Sequence, residues 1–222
     1  MSDFNHEASH DHDHGIDHDH GADLNPDDPT ARARALQSLL VEKGLVTTEA
    51  IDEVITAYEH DIGPMTGAEI VARAWTDESF RASLLSDARK AIKDSGFDLD
   101  SSAGLQHLEV VENADEVHNV VVCTLCSCYP WSILGLPPTW YKSEAYRSRV
   151  VREPRSVLAE FGLVLDDDVE VRVWDSTSEV RYLVLPQRPS GTEDLSESEL
   201  AALVSRDAMI GVATVDPIEA DR

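Results

Sequence analysis

The sequence predicts an α+β protein: an N-terminal helical arm, residues 30–98, followed by a mixed α/β domain, residues 99–222, that includes a β-hairpin. Three observations carry that expectation. Between Thr30 and Gly96 apolar side chains recur at helical spacing. After Asp98, short β-branched runs alternate with polar residues and are punctuated by turn-forming clusters. Residues 1–29, in contrast, hold six of the nine histidines and nine Asp or Glu, with no Lys or Arg. They offer a core almost nothing.

Taken in order, "HDHDHGIDHDHGADLNPDDP" reads as a disordered tail, because it cannot bury enough apolar surface to offset the entropy of ordering. Its alternating His and Asp could hold a divalent transition metal loosely. "ARARALQSLLVEKG" is a helix that stops at Gly44. "TTEAIDEVITAYEHDIG" sets Ile51, Val54, Ile55 and Tyr58 on one apolar stripe. "TGAEIVARAW" follows Pro64 and offers a capping box from Thr66 and Glu69, and "DESFRASLLSDARKAIKDSG" stops at Gly96. "HLEVVEN" and "HNVVVCTL" read as strands. Val169, Val171 and Val173 alternate before a turn at Asp175–Ser178 and a second run, which predicts the hairpin. Ser196 and Glu199 form a second capping box, so a helix follows.

At 222 residues the chain is long enough for a real core, and 42% hydrophobic residues is ordinary for a globular protein. A formal net charge of −25 is not ordinary, and it argues against nucleic acid or an anionic membrane as partner. No apolar run approaches the ~18 residues needed to span a bilayer, and "MSDFNHEASH" has no basic or apolar leader. Three clustered cysteines cannot build a disulfide framework, so a reducing cytoplasm is the expected compartment.

Those cysteines, Cys123, Cys126 and Cys128, fall within six positions in "VVVCTLCSCYPW". They mark the second domain as metal-binding. A disulfide between Cys126 and Cys128 would be badly strained at such short range. A structural zinc site needs a fourth ligand, and His118, five strand residues upstream, would lie roughly 16 Å away on the opposite face. An iron–sulfur cluster usually takes four thiolates in other spacings. The remaining option uses the backbone. If the Ser127 and Cys128 amides lose their protons, Cys126-Ser127-Cys128 wraps an ion in one plane through sulfur, nitrogen, nitrogen and sulfur, and Cys123 adds an axial thiolate. Such a claw demands a trivalent Co or Fe and leaves a sixth position open for hydration chemistry.

"VCTLCSCYPW", with "LGLPPTWYKSEAYRSRVVREPR", "VEVRVWDSTSEVRYLVLPQRPSGTE" and "SRDAMIGVA", closely resembles the α subunit of nitrile hydratases, from about Thr30 to Thr214. Thr124, with Tyr129 after the claw, is similar to the cobalt type. The resemblance implies a non-corrin Co(III) held by the Cys123, Cys126 and Cys128 sulfurs and by the Ser127 and Cys128 nitrogens, with iron as the lesser option. It also implies Cys126 oxidised to sulfinic and Cys128 to sulfenic acid. It implies hydration of a small nitrile to an amide, with Cys128 at the chemistry, a β subunit that completes the site, and an activator that delivers cobalt. No Arg lies in residues 120–131, consistent with donors to the oxidised sulfurs from β.

Trp131 and Ser127 are candidate pocket residues; Trp131 reads equally as a core aromatic. Asp175 resembles a supporting acid behind the claw, although Asp is common in turns for turn chemistry alone. The family often has a glutamine near position 104; here Gly104 stands there and Gln106 lies two residues on. Arg147, Arg149, Arg152 and Arg155 read as a solvated or ion-paired helix face, with pairing across a subunit interface as the alternative. The γ subunit of thiocyanate hydrolase carries the same claw and is the rival reading. Trp131 favours a neutral nitrile, since an anion would suit a basic residue there. A non-catalytic cobalt-, nickel- or zinc-binding protein is the alternative from another class.

Overall fold

The computed structural model describes residues 29–56, 64–97, 107–126 and 128–216. The His/Asp tail, Tyr58, Gly104, Gln106 and Ser127 lie outside the described residues. The chain divides into two compact units, Met1–Ile51 and Asp52–Arg222.

The first unit contains helix α1, Pro29–Glu42, and the start of α2, Thr48–Thr56. As the sequence predicts, α1 stops before Gly44, whose φ of 64° only glycine adopts at little cost. Leu45 N–H closes the end onto the Leu40 carbonyl at 3.0 Å. In α2, which runs on into the second unit, Val54 and Ile55 of the expected stripe are exposed and Ile51 is half-buried.

The second unit opens with three helices of the predicted arm, and they belong to its core. Helix α3, Pro64–Thr76, begins at Pro64, a residue pre-set for a first helical turn. Thr66 therefore sits inside that turn and does not cap it, contrary to the expected capping box. Ile70, Val71 and Ala72 of α3 are fully buried. At Gly67 a Cβ would come within 2.8 Å of the Ile133 carbonyl oxygen, so a bare backbone is what lets the helix approach this closely. The stretch read as one helix up to Gly96 is two, α4, Glu78–Ser86, and α5, Ala88–Asp94. Asp87 ends the first and caps the second by accepting from Lys90 N–H at 3.0 Å.

Four strands follow: β1, Leu108–Glu112; β2, Val117–Val122; β3, Glu170–Asp175; and β4, Arg181–Leu185. They form two two-stranded parallel sheets, β1 with β4 and β2 with β3. The expected strands are present, but the hairpin is not. A turn does close after β3, with Thr177 N–H on the Val180 carbonyl at 2.9 Å. β3 and β4 then separate, and each pairs in parallel with an earlier strand instead. Alternation predicts strands and turns but is silent on partners some fifty residues away. β2 is buried from His118 to Val122 on both faces, as parallel strands usually are.

The crossover from β2 to β3 carries α6, Trp131–Leu134; a 3-10 turn, Thr139–Lys142; α7, Glu144–Arg149; and α8, Pro154–Glu160. After β4 come α9, Glu197–Leu203, and α10, Arg206–Ile210. The Ser196–Glu199 capping box is formed as the sequence predicts. Among the described residues no helix is long and apolar enough to cross a membrane.

His118 is a core residue, not a ligand. Its Nε2 donates to the Gly211 carbonyl at 2.8 Å, which only an Nε2–H tautomer can do, and Nδ1 accepts from Asn113 Nδ2 at 3.3 Å. Burial lowers its pKa, with the Gly211 carbonyl opposing. A depressed histidine pKa contributes stability that is complete above about pH 6.5 and is lost as pH falls through the folded value. Thermal unfolding should therefore show Tm falling between pH 7.5 and 5, with a shallower fall in His118→Gln. Gly211 has φ 90°, and a Cβ there would overlap the Asn119 carbonyl oxygen. Gly211→Ala is expected to cost about 3 kcal/mol or more in the same measurement.

Candidate metal centre

Strand β2 delivers the site. Its last residue, Val122, is followed by Cys123, which is 0% exposed, and the chain then turns outward so that Cys126 is exposed and Cys128 returns to 8%. The three Sγ atoms all lie within 4.8 Å of one another. Cys123 Sγ is 3.3 Å from Cys126 Sγ, which is 3.0 Å from Cys128 Sγ. Cys126 N–H donates to Cys123 Sγ at 3.3 Å, folding the turn inward.

Those separations discriminate between geometries. With metal–sulfur bonds of about 2.3 Å, sulfurs at right angles are about 3.3 Å apart and sulfurs at tetrahedral angles about 3.8 Å. The two observed separations lie nearer the right-angle spacing of an octahedron or square than the tetrahedral one, so the residues present fit such an ion better than tetrahedral zinc. Among the described residues no fourth His, Cys, Asp or Glu joins the three. Burial, and then the contact with Cys126, pushes the Cys128 thiol up to about 12, with Arg181 opposing. Deprotonating it calls for a cation beside it.

The rest of the loop is held by its main chain. Register pairs Val122 with Asp175, so the end of β3 lies beside the start of the claw. The Asp175 carboxylate accepts from Thr124 N–H at 2.9 Å and Thr124 Oγ1–H at 2.6 Å. The candidate supporting acid is thus bonded to Thr124, the residue after Cys123. Tyr141, from the 3-10 turn, donates its hydroxyl to the Cys128 carbonyl at 3.0 Å. Tyr146, from α7, donates to the Val121 carbonyl at 2.7 Å. Burial raises the pKa of both phenols, which keeps them protonated donors. Arg147 Nη1 donates to the Cys126 carbonyl at 3.1 Å.

Trp131 opens α6 half-buried, with Lys142 Nζ 5.6 Å from its ring centre. Of the four arginines read as a helix face, Arg149 is ion-paired, with Glu153 at 2.7 Å and Glu160 at 2.6 Å. Arg152 and Arg155 bind main-chain carbonyls. Arg147, by contrast, turns to the claw from within this chain. The sequence shows Arg147 only as one of that face and does not single out Tyr141 or Tyr146, since "TWYKSEAYRSR" gives helical spacing but no hint of which carbonyls these side chains reach.

Residues 27–213 match the family model for the nitrile hydratase α chain. The chain belongs to that family. It is 55% identical over 189 residues to the low-molecular-weight cobalt-containing nitrile hydratase subunit α of Rhodococcus rhodochrous, covering 84% of this chain and 89% of that one. It is similar to the structure of a double mutant of the Fe-type nitrile hydratase of Comamonas testosteroni Ni1, with a TM-score of 0.75 and 45% identity, over 87% of this chain and 93% of that one. It is also 44% identical over 191 residues to thiocyanate hydrolase subunit γ of Thiobacillus thioparus, covering 82% and 78%. The fastening described above is read from this chain's own side chains.

Asp175 carries two of those fastenings. In the assembled protein, Asp175→Ala is expected to speed hydrogen exchange of the Thr124 amide at least tenfold, because both bonds to the carboxylate go. Thr124→Val, which keeps the main-chain bond, should raise it by less.

Proposed function

We propose that the chain is the metal-bearing α subunit of a cobalt nitrile hydratase, converting R–C≡N and water to R–CO–NH2 together with a β subunit. The observation that carries this reading is the sulfur triad, all within 4.8 Å of one another and with its two measured pairs near right-angle spacing about one ion. Cys123, Cys126 and Cys128 would supply the sulfurs, and Ser127 and Cys128 the amide nitrogens. Bound there, Co(III) would act as a Lewis acid that polarises the nitrile or acidifies water, without redox turnover.

The chain's own residues set up the rest. Cys126 is the exposed sulfur of the three and the one best placed for oxidation to a sulfinic acid. Cys128, oxidised one rung to a sulfenic acid, would present an oxygen to the nitrile carbon as nucleophile or base. Oxidised sulfurs are poorer donors, which leaves the open position more acidic. Trp131 would form an apolar wall for a neutral substrate. The β subunit supplies further donors to the oxidised sulfurs, and an activator loads cobalt in the cytoplasm, where the thiols stay reduced until then.

A second reading has one observation in its favour. Lys142 lies over Trp131, so a cation stands beside the wall assigned to a neutral substrate, and that would also suit thiocyanate. Assay of the purified complex with β decides between them. Turnover of acrylonitrile is expected, and turnover of thiocyanate alone would make the chain a thiocyanate hydrolase subunit.

Metal analysis and intact mass of the peptide spanning residues 123–128 test the centre itself. About one cobalt per chain and three added oxygens are expected. Zinc on unmodified thiols would refute the proposal. Replacing any one of the three cysteines with serine is expected to lower activity by at least a hundredfold and to abolish stoichiometric cobalt.

A further inference from the structure

The chain has 43 acidic and only 18 basic residues, so each arginine has ample carboxylates to choose from. Arg149 takes two of them, and Arg155 gathers the carbonyls of Leu165 and Asp166 at 3.2 and 3.1 Å to tie down the loop after α8. Arg147 does neither. Its Nη1 reaches back to the Cys126 carbonyl at 3.1 Å, and its Nε is buried with no partner among the described residues. Among those residues it also has no carboxylate partner.

The oxygen it reaches is a particular one. It belongs to the peptide joining Cys126 to Ser127, the amide whose nitrogen the claw would offer to the ion. When such a nitrogen binds a trivalent metal, its proton passes to water, and the negative charge is shared between the nitrogen and the carbonyl oxygen of the same amide. The neighbouring fastening makes the contrast. The Cys128 carbonyl, whose peptide nitrogen belongs to Tyr129 and is no donor to the metal, receives a neutral phenol from Tyr141. One of the two amides that would take on charge meets a guanidinium, and an amide that stays neutral meets a hydroxyl. Charge-assisted hydrogen bonds are about twice as strong as neutral ones.

We propose that Arg147 is a positioning residue of the metal centre, whose fixed positive charge holds the Cys126 carbonyl and offsets the negative charge the claw takes on with its ion. This rests on the metal reading above. The test uses the complex with β, made with wild-type chain, Arg147→Gln and Arg147→Lys, and checked for assembly by size exclusion. Cobalt retained during incubation with a chelator is measured, together with the sulfur-to-cobalt absorption band. Gln keeps an N–H for the carbonyl and loses the charge; Lys keeps the charge. Arg147→Gln should lose cobalt about tenfold faster than wild type with a shifted band, and Arg147→Lys should recover most of the difference. Wild-type retention in Arg147→Gln, equal failure of both variants, or loss of assembly in Arg147→Gln would each overturn the assignment while leaving the cobalt reading intact. A wild-type complex without cobalt or the band would sink both.

Discussion

The parallel pairing of β2 with β3 is the constraint on which the site depends. It sets Val122 opposite Asp175, and one residue past that pair the chain leaves the sheet as Cys123. Because β2 is buried on both faces, its exit point is rigid, and the first sulfur is anchored where the sheet ends. The partner strand ends at the same level and contributes a carboxylate that takes both polar hydrogens of Thr124. Without that register Thr124 would lose both of its bonds to Asp175.

A parallel pair requires a long connection, and this one is put to use. Residues 123–169 begin with the claw and continue through α6, the 3-10 turn, α7 and α8, so the chain that leaves the sheet as a ligand loop wraps back over its own start. Tyr141, Tyr146 and Arg147 reach three main-chain carbonyls of that start, at Cys128, Val121 and Cys126. All of these bonds go to backbone oxygens. None of them is spent on a sulfur, which leaves the sulfurs available to a metal. The aromatic rings that carry the phenols pack edge-to-face, Tyr129 on Tyr141 at 5.1 Å and Trp140 on Tyr146 at 4.9 Å, and fix where the hydroxyls point. Bonds of this kind hold the main chain of the loop, and with it the positions of the three sulfurs.

Much of this was legible in the residues, and the boundary of what was not is physical. Helix ends are local: a capping box needs only Ser196 and Glu199, a stop needs only Gly44, and both formed as read. The metal-binding loop is local too, since three sulfurs within six positions cannot be far apart in any fold. Identity of donor types and their spacing are properties of the chain itself, and they carry the resemblance to the nitrile hydratase α family. Thr66 shows how narrow the local margin is, because a helix starting at Pro64 turned a cap into a first-turn residue.

Pairing and fastening belong to the folded chain, because they join residues far apart in sequence. Val169, Val171 and Val173 announced a strand, yet the choice of β2 over β4 as its partner depends on which edges the rest of the fold leaves open. Asp175 was readable both as a supporting acid by resemblance and as a turn residue, and the register is what sets its carboxylate on Thr124. Arg147 was readable as one of four helix-face cations; the fold alone selected it, and none of the other three, to meet the carbonyl of Cys126. Residue types and their order settle which atoms can grip an ion. The wrapping of the crossover settles what holds those atoms still, since that depends on distances that no spacing along the chain encodes.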